Sequence, residues 1–231
     1  MRLPVFVRPL MFLLLLLPCG AEAATTYINA NLLPPTLLAP PPAEASPANK
    51  ANIAGVLRAQ KHVSKEAVAE MKAEQHLTPD LVAVMLGPDY TRENYPATHA
   101  LIDRVFSDCE AVTAIDKKFW HTRRPYLVSH QVHLLIDPID TNPSYPSGHT
   151  SGSRIVAEVL AQLFPEQQDS LRSKAASIAW HRVQAGVHYP VDIQSGDQVA
   201  MLVLGAMTAS PDYQRDLAAA RAEIAARPLQ H

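Results

Sequence analysis

Prolines, glycines and small polar residues divide the chain after residue 50 into segments whose apolar residues recur at helical spacing. In the segment opened by Pro96, for example, Leu101, Val105 and Val112 follow one another at intervals of four and seven residues. Proline is tolerated in the first turn of a helix, and glycine or proline ends one. Few segments show the period of two that is typical of strands. The pattern predicts an all-α fold, a compact single-domain bundle of roughly six to eight helices.

The predicted helices each begin at a capping residue or proline, or end at proline or glycine. They are Lys65–His76 after Ser64, a short helix between Thr78-Pro79 and Gly87-Pro88, a long helix from Pro96, and then Ser151–Phe164, Leu171–Gln184 and Ile193–Met207. The last of these is apolar on most sides, which is typical of a central buried helix.

Residues 1–23 have the pattern of a secretory signal peptide. Arg2 and Arg8 provide positive charge, Leu13–Leu17 lies in a short apolar run, and Ala21-Glu22-Ala23 is a cleavage site with small residues at the required positions. An uncleaved N-terminal anchor is the alternative, but the run is shorter than the about 20 residues that a membrane span needs. We therefore expect a soluble protein that is periplasmic or secreted after cleavage.

Residues 24–50 form a proline-rich arm, which precedes a helical domain at 51–231. Proline lacks an amide donor and has a fixed φ, so these residues are expected to be extended rather than helix or sheet. The leucines of the arm are expected to pack along the helical body; they are Leu32, Leu33, Leu37 and Leu38.

Net charge and cysteine content exclude several classes of protein. The formal net charge is −2, so no basic field is present that would attract nucleic acid. Cys19 leaves with the signal peptide, and Cys109 is then alone in a helical pattern. We expect Cys109 to be buried and inert, and the mature chain to have no internal disulfide.

Three motifs in the C-terminal half combine cationic, histidine and carboxylate side chains. They are Lys117 followed after six residues by Arg124-Pro125, then Pro146-Ser147-Gly148-His149, and then Arg182 followed after five residues by His188 and after three more by Asp192. Each motif alone is weak, since lone cations usually lie on a solvated face. All three together, in this order, are very improbable by chance.

The residue types of these motifs suit a phosphate group. Arg124 and Arg182 can bind its oxygens in a bidentate manner, and Lys117 adds a compact positive charge. Ser147 and Gly148 are expected just before a helix, where backbone amides and the helix dipole form an anion site. Phosphoryl transfer depends mainly on positioning and fixed positive charge, so the set predicts a phosphate-processing enzyme.

The motifs resemble those of the phosphatidic-acid-phosphatase type 2 (PAP2) superfamily, and within it the class A bacterial non-specific acid phosphatases. The stretches Ser144–Thr150, Gly186–Asp192 and Leu38–Glu44 are similar to characteristic segments of that class. The resemblance implies a helical bundle of the PAP2/haloperoxidase type. It also implies a periplasmic enzyme that hydrolyses small phosphate monoesters with a broad range of leaving groups, and transfer of phosphate to other alcohols as a side reaction.

The resemblance also implies roles for the histidines, which the spacing alone leaves open. His188 is expected to attack phosphorus and form a phosphohistidine, with Asp192 orienting its ring. His149 is expected to protonate the leaving group and then activate water, so opposed protonation demands predict an acidic optimum with a bell-shaped pH profile. No cofactor and no metal are implied, and inorganic phosphate and vanadate are expected inhibitors.

Two positions depart from the family pattern. His181 replaces the serine before Arg182, and Pro143 replaces the glycine that commonly precedes the second motif. His181 is expected to alter how Arg182 is held or to add a titrating charge, which would affect the pH optimum and efficiency.

Other candidates are weaker. Trp120 and Tyr126 are candidates for a wall of the leaving-group pocket, with plain core packing as the alternative. His130 and His133 form a surface pair rather than a metal site.

Three other functions remain as alternatives. A vanadium-dependent haloperoxidase would place vanadate in the same site. A soluble lipid or isoprenoid pyrophosphate phosphatase would correspond to the membrane members of the superfamily, although this chain lacks their spans. A non-catalytic phosphate-binding protein would not need both histidines. The oligomeric state stays open, with a homo-oligomer as one option.

Overall fold

The computed structural model describes residues 26–138 and 143–229, so the predicted signal peptide and Cys19 lie outside the described residues. Within these ranges the chain is all-α and contains no strand, as predicted. Its helices are α1 Pro47–Ala59, α2 Lys65–Ala73, α3 Asp80–Ala83, α4 Pro96–Trp120, α5 Pro125–Val128, α6 Gly148–Leu163, α7 Gln168–Gln184, α8 Pro190–Met207 and α9 Pro211–Ala226.

Serine caps set several of these helix starts. The hydroxyl of each capping serine accepts a hydrogen bond from a backbone amide in the first turn, which satisfies a donor that has no partner inside the helix. The pairs are Ser46 with Asn49, Ser64 with Ala67, Ser147 with Thr150 and Ser210 with Tyr213. The cap predicted at Ser64 is confirmed, and α6 begins at Gly148 rather than at the predicted Ser151.

The centre of the bundle is α6, which packs against α3, α4, α7, α8 and α9. Ile155, Val159 and Leu160 on this helix are fully buried. The prediction that the helix ending at Met207 is central was wrong. Met201 on α8 is 47% exposed, because one face of α8 lies at the surface of the bundle.

The proline-rich arm lies along the body and contains two short 3-10 turns, Ala30–Leu32 and Pro35–Leu37. It ends earlier than expected, because Pro47 is the first residue of α1. The Tyr27 amide donates to Asp108 on α4 at 2.7 Å, and the Tyr27 hydroxyl donates to Asp216 on α9 at 2.8 Å. Leu38 is buried, whereas Leu32 and Leu37 remain exposed. The arm therefore joins α4 to α9.

The final helix, α9, has no counterpart among the predicted helices, although Ser210 before Pro211 is a cap and first-turn signal. Cys109 is buried and makes no disulfide within the described ranges, and burial raises the pKa of its thiol to about 12. Both observations agree with the prediction of an inert thiol. None of the helices in the described part of the chain is long and apolar enough to cross a membrane.

Candidate active site

The three motifs meet at one end of the bundle, around a cavity of about 260 Å³. The cavity is lined by residues from the first two motifs, by His188, and by the segments after α2 and α5; the lining residues are Gln75, His76, Lys117, Arg124, Pro138, Gly148, His149 and His188. Ser147, Arg182 and Asp192 lie directly behind this surface, in contact with or electrostatically close to the lining residues. All eight predicted site residues therefore come together.

His188 is held by Asp192 from one side and by Arg124 from the other. Its Nδ1–H donates to Asp192 Oδ2 at 3.1 Å, and its Nε2 accepts from Arg124 Nη1 at 3.2 Å. The same Asp192 oxygen accepts from the Ser144 hydroxyl at 2.6 Å and from the Tyr189 amide at 2.9 Å. These bonds fix the tautomer in which Nε2 has no proton. Its electron pair accepts the hydrogen bond from Arg124 in this structure, and it becomes available to a nucleophilic attack when Arg124 turns to another acceptor.

Burial and positive neighbours set the charge state of this pair. His188 is fully enclosed, and burial together with Arg124 and Lys117 holds its pKa well below the usual value. Burial raises the pKa of Asp192 to about 6, while the hydrogen bonds from Ser144 and Tyr189 act in the opposite direction. At neutral pH the imidazole is therefore neutral beside a charged carboxylate.

Lys117 and Arg124 contribute buried positive charge and are partly occupied by backbone carbonyls. The Lys117 ammonium donates to the carbonyls of Pro143 at 2.5 Å and Ser144 at 3.3 Å, and Arg124 Nη1 donates to the Val187 carbonyl at 2.8 Å. Burial and the neighbouring Arg124 lower the pKa of Lys117 to about 7. These contacts hold both cations at the cavity.

Arg182 differs from the other cations because its guanidinium has no hydrogen-bond partner among residues 26–138 and 143–229. Its side chain is 0% exposed, and among the described residues none forms a hydrogen bond with its Nε, Nη1 or Nη2. Burial and Arg124 lower its pKa to about 10, so it stays charged at neutral pH. A buried charge without a partner is costly, and an anion in the cavity would supply the missing partner.

The start of α6 corrects one detail of the predicted anion site. The Ser147 amide donates to the Asp192 carbonyl at 3.0 Å, and the Ser147 hydroxyl caps the helix. Ser147 therefore holds the turn in place rather than offering its amide to an anion. Gly148 lines the cavity as the first residue of the helix, where its position suits anion binding.

His149 lines the same cavity as His188, and its Nε2–H donates to the backbone carbonyl of Glu74 at 2.9 Å. Burial and Arg182 lower its pKa to about 3, so its imidazole is neutral at neutral pH. An anion in the cavity would offset the charge of Arg182, and the pKa of His149 would then rise.

A wider, open groove of about 820 Å³ shares Lys117 and Gly148 with the cavity. Leu77, Ala111 and Ala114 give it an apolar floor, and Lys118 lies among its other lining residues. A group attached to a phosphate in the cavity could extend into this groove.

The other predicted candidates lie elsewhere. Trp120 packs against Tyr145 and lines a second cavity beside the arm, which Asp192 also lines. Tyr126 packs against buried apolar clusters, as the core-packing alternative expects. His130 and His133 are exposed. Within residues 26–138 and 143–229, no cluster of three histidine, cysteine or acidic side chains is arranged to hold a metal ion.

Two residues that matter to the geometry were not predicted. Ser144 was noted only as part of a similar stretch, yet it bonds directly to Asp192. Glu74 lies far from the motifs in sequence, and no local pattern marks it. Only its position after α2, next to His149, reveals its part in the site.

Comparison with known proteins agrees with this geometry. Residues 105–216, which contain all three motifs, match the family model described as the PAP2 superfamily. This part of the chain is therefore similar to PAP2 superfamily domains. The match begins within α4 and ends within α9, and this part of the chain supplies every predicted side chain of the site.

Several curated proteins similar to this chain are named as acid phosphatases. The acid phosphatase of Zymomonas mobilis subsp. mobilis is 28% identical over 88% of this chain and 80% of that protein. The non-specific acid phosphatase of Salmonella typhi is 32% identical over 48% of this chain and 46% of its own length. That of Providencia stuartii is 29% identical over 60% of this chain and 58% of its own length. The matched regions thus span about half the length of the last two relatives.

Proposed function

We propose that this protein is a secreted acid phosphatase that hydrolyses phosphate monoesters through a phosphohistidine on His188. The proposal includes export to the periplasm or the exterior after removal of residues 1–23, activity without a metal ion, and transfer of phosphate to other alcohols as a side reaction. Acid phosphatases among the relatives support the reaction class. The open groove beside the cavity supports a broad range of leaving groups.

The observation that carries the proposal is the buried guanidinium of Arg182. It has no hydrogen-bond partner in the described part of the chain, and it lies beside two neutral histidines and two further cations. A phosphate ester has up to two negative charges, and its transition state spreads charge over three equatorial oxygens. Those oxygens would accept hydrogen bonds from Arg182, Arg124 and Lys117. These cations are preorganised around the position where negative charge develops in the transition state. Such preorganisation is the main source of electrostatic catalysis.

The first step forms the phosphoenzyme. The electron pair on His188 Nε2 attacks phosphorus while the bond from phosphorus to the ester oxygen breaks. Protonated His149 gives its proton to the leaving oxygen, so the alcohol departs neutral. The Nδ1 proton of His188 stays on the ring and remains hydrogen-bonded to Asp192, whose carboxylate balances the positive charge that the ring acquires.

The second step returns the enzyme to its starting state. His149, now neutral, takes a proton from water as the water oxygen attacks phosphorus. The bond between phosphorus and His188 Nε2 breaks, its electron pair returns to the ring, and inorganic phosphate leaves. An alcohol in place of water gives the transferase reaction by the same route.

Hydrolysis of p-nitrophenyl phosphate between about pH 4 and about pH 9, with EDTA present, tests the proposal. We expect metal-independent turnover with an acidic optimum, inhibition by phosphate and vanadate, and no turnover by His188→Ala. Labelled substrate quenched in alkali should leave label on the wild-type protein but not on that variant, because phosphoramidates survive alkali. No turnover at any pH would refute the proposal.

A further inference from the structure

His181 on α7 precedes Arg182 and is a departure from the superfamily pattern, which has serine there. It is only 7% exposed and points away from solvent. Its Nδ1–H donates to Glu74 Oε2 at 2.7 Å, and its Nε2 lies 3.7 Å from Glu70 Oε2. This buried imidazole therefore connects α7 to the end of α2.

Glu74 is an unusual carboxylate because it is 2% exposed and held from two positions on one helix. Lys174, two helical turns before His181 on α7, donates to Glu74 Oε1 at 2.6 Å. Burial alone would raise the pKa of Glu74, but the hydrogen bonds from His181 and Lys174 outweigh it and lower the pKa. The carboxylate is thus charged and fixed to α7.

The backbone of the same residue reaches the active site. Glu74 is the C-cap of α2, and its carbonyl accepts the Nε2–H of His149 at 2.9 Å. The next residues, Gln75 and His76, line the cavity. The backbone of Gln75 also interacts with His149, so the side chain of Glu74 anchors the first of two consecutive backbone groups that orient this ring. The side chain of His181 on α7 is thus linked to His149 through two hydrogen bonds.

We propose that His181 is a positioning residue that acts through Glu74 to hold His149 in the orientation needed for proton transfer. The inference rests on the proposed phosphatase function. With Nε2–H fixed on the Glu74 carbonyl, Nδ1 is the ring nitrogen that gives its proton to the leaving oxygen and later takes one from water. The carbonyl also stabilises the imidazolium, because it accepts a bond from the charged ring.

A positioning role in proton donation has a signature that a general structural role lacks. A poor leaving group such as phenoxide needs a proton as the ester bond breaks, whereas 2,4-dinitrophenoxide is stable as an anion and does not. Loss of general acid catalysis therefore slows phenyl phosphate and spares 2,4-dinitrophenyl phosphate. The value of kcat/KM reports this difference, because it covers only the steps up to transfer of phosphate to His188.

The experiment compares kcat/KM for both esters in the full chain and in four variants. His181→Ala should lose about tenfold or more with phenyl phosphate and less than about twofold with the dinitrophenyl ester. His181→Asn, whose amide can replace the Nδ1–H donor, should recover most of the loss. Lys174→Met should show a smaller loss of kcat/KM, which is again greater with phenyl phosphate than with the dinitrophenyl ester. Arg172→Ala is the matched control, because it removes a bond from α7 to the buried Glu158 and none to the site.

Equal losses with both esters in His181→Ala, or no loss with either, would overturn the proposal. Thermal unfolding and phosphate inhibition of each variant show whether fold and anion site are intact. If His181→Ala fails to fold, the ester preference of Lys174→Met decides, and an unchanged ratio there also overturns the proposal. A wild-type protein inactive on both esters would instead refute the phosphatase function itself.

Discussion

Replacing Arg182 by methionine should stabilise the protein in phosphate-free buffer while abolishing its activity. Burial and Arg124 lower the pKa of Arg182 by between two and three units from its usual value, to about 10, and the group stays charged at neutral pH. Because the pKa of a base falls on folding, its charged form destabilises the folded state at every pH below about 10. At about 1.4 kcal/mol per pKa unit, the penalty is about 3 kcal/mol. Methionine removes the charge and keeps part of the volume, so a gain of about 1–3 kcal/mol is expected after packing losses.

Urea unfolding of wild type and Arg182→Met at pH 7, with and without phosphate, provides the test. Phosphate should stabilise the wild type, by about 2.7 kcal/mol at a concentration one hundred times its Kd, and should leave the variant unchanged. Arg172→Met on the same helix is the control, since its partly exposed pair with Glu158 should change stability by about 1 kcal/mol or less. If Arg182→Met is less stable than the wild type without phosphate, the guanidinium is not an uncompensated charge and the reasoning fails.

Three further predictions concern the rest of the site. The pKa of His149 is about 3 in the folded protein and about 6.5 in the unfolded chain, so the free energy of unfolding decreases as pH falls between these values. In urea titrations, His149→Gln should make the decrease between about pH 7 and about pH 5 smaller by about 2 kcal/mol. A decrease equal to that of the wild type would contradict this prediction. Ser144→Ala removes a bond that lowers the pKa of Asp192, so kcat/KM should fall roughly 10–100-fold and its acidic limb should move to higher pH. If the acidic limb of the pH profile of kcat/KM stays where it is in the wild type, this role of Ser144 is contradicted. Gly196→Ala would place a Cβ 2.7 Å from the Ser147 carbonyl oxygen. The variant should therefore lose about 1–3 kcal/mol of free energy of unfolding, together with activity. A stability and activity equal to those of the wild type would show that the turn at Ser147 can shift.

Much of the fold and most of the site follow from local signals in the sequence. Caps, first-turn prolines and glycine stops depend on a few neighbouring residues, so the starts of α2 and α4 could be predicted closely. The site residues lie in motifs with fixed internal spacing, and each motif falls at the end of a helix. The second motif lies at the N-terminus of α6, where Gly148 and His149 line the cavity, and the third motif ends in the first turn of α8.

The unpredicted features depend on contacts between distant parts of the chain. Glu74 contacts His149 and His181 across 75 and 107 residues, and no short pattern encodes such a contact. The apolar pattern of α8 suggested a central helix, yet helix α6, with fewer large apolar residues, occupies the centre. Its Gly152 lies so close to Phe106 that a Cβ would come within 2.8 Å of the ring, so small size rather than apolar character allows the close packing.

The hydrogen bond between Tyr27 and Asp216 has a consequence for biosynthesis. The two residues are 189 positions apart, so the arm cannot dock on α9 until nearly the whole chain has left the ribosome. At about 5–20 residues per second, this delay lasts roughly 10–40 seconds. Asp108, the other anchor of the arm, is made much earlier, so until α9 is complete the arm can be held only on α4. A premature stop before α9 therefore leaves a product in which the first segment lacks its second anchor.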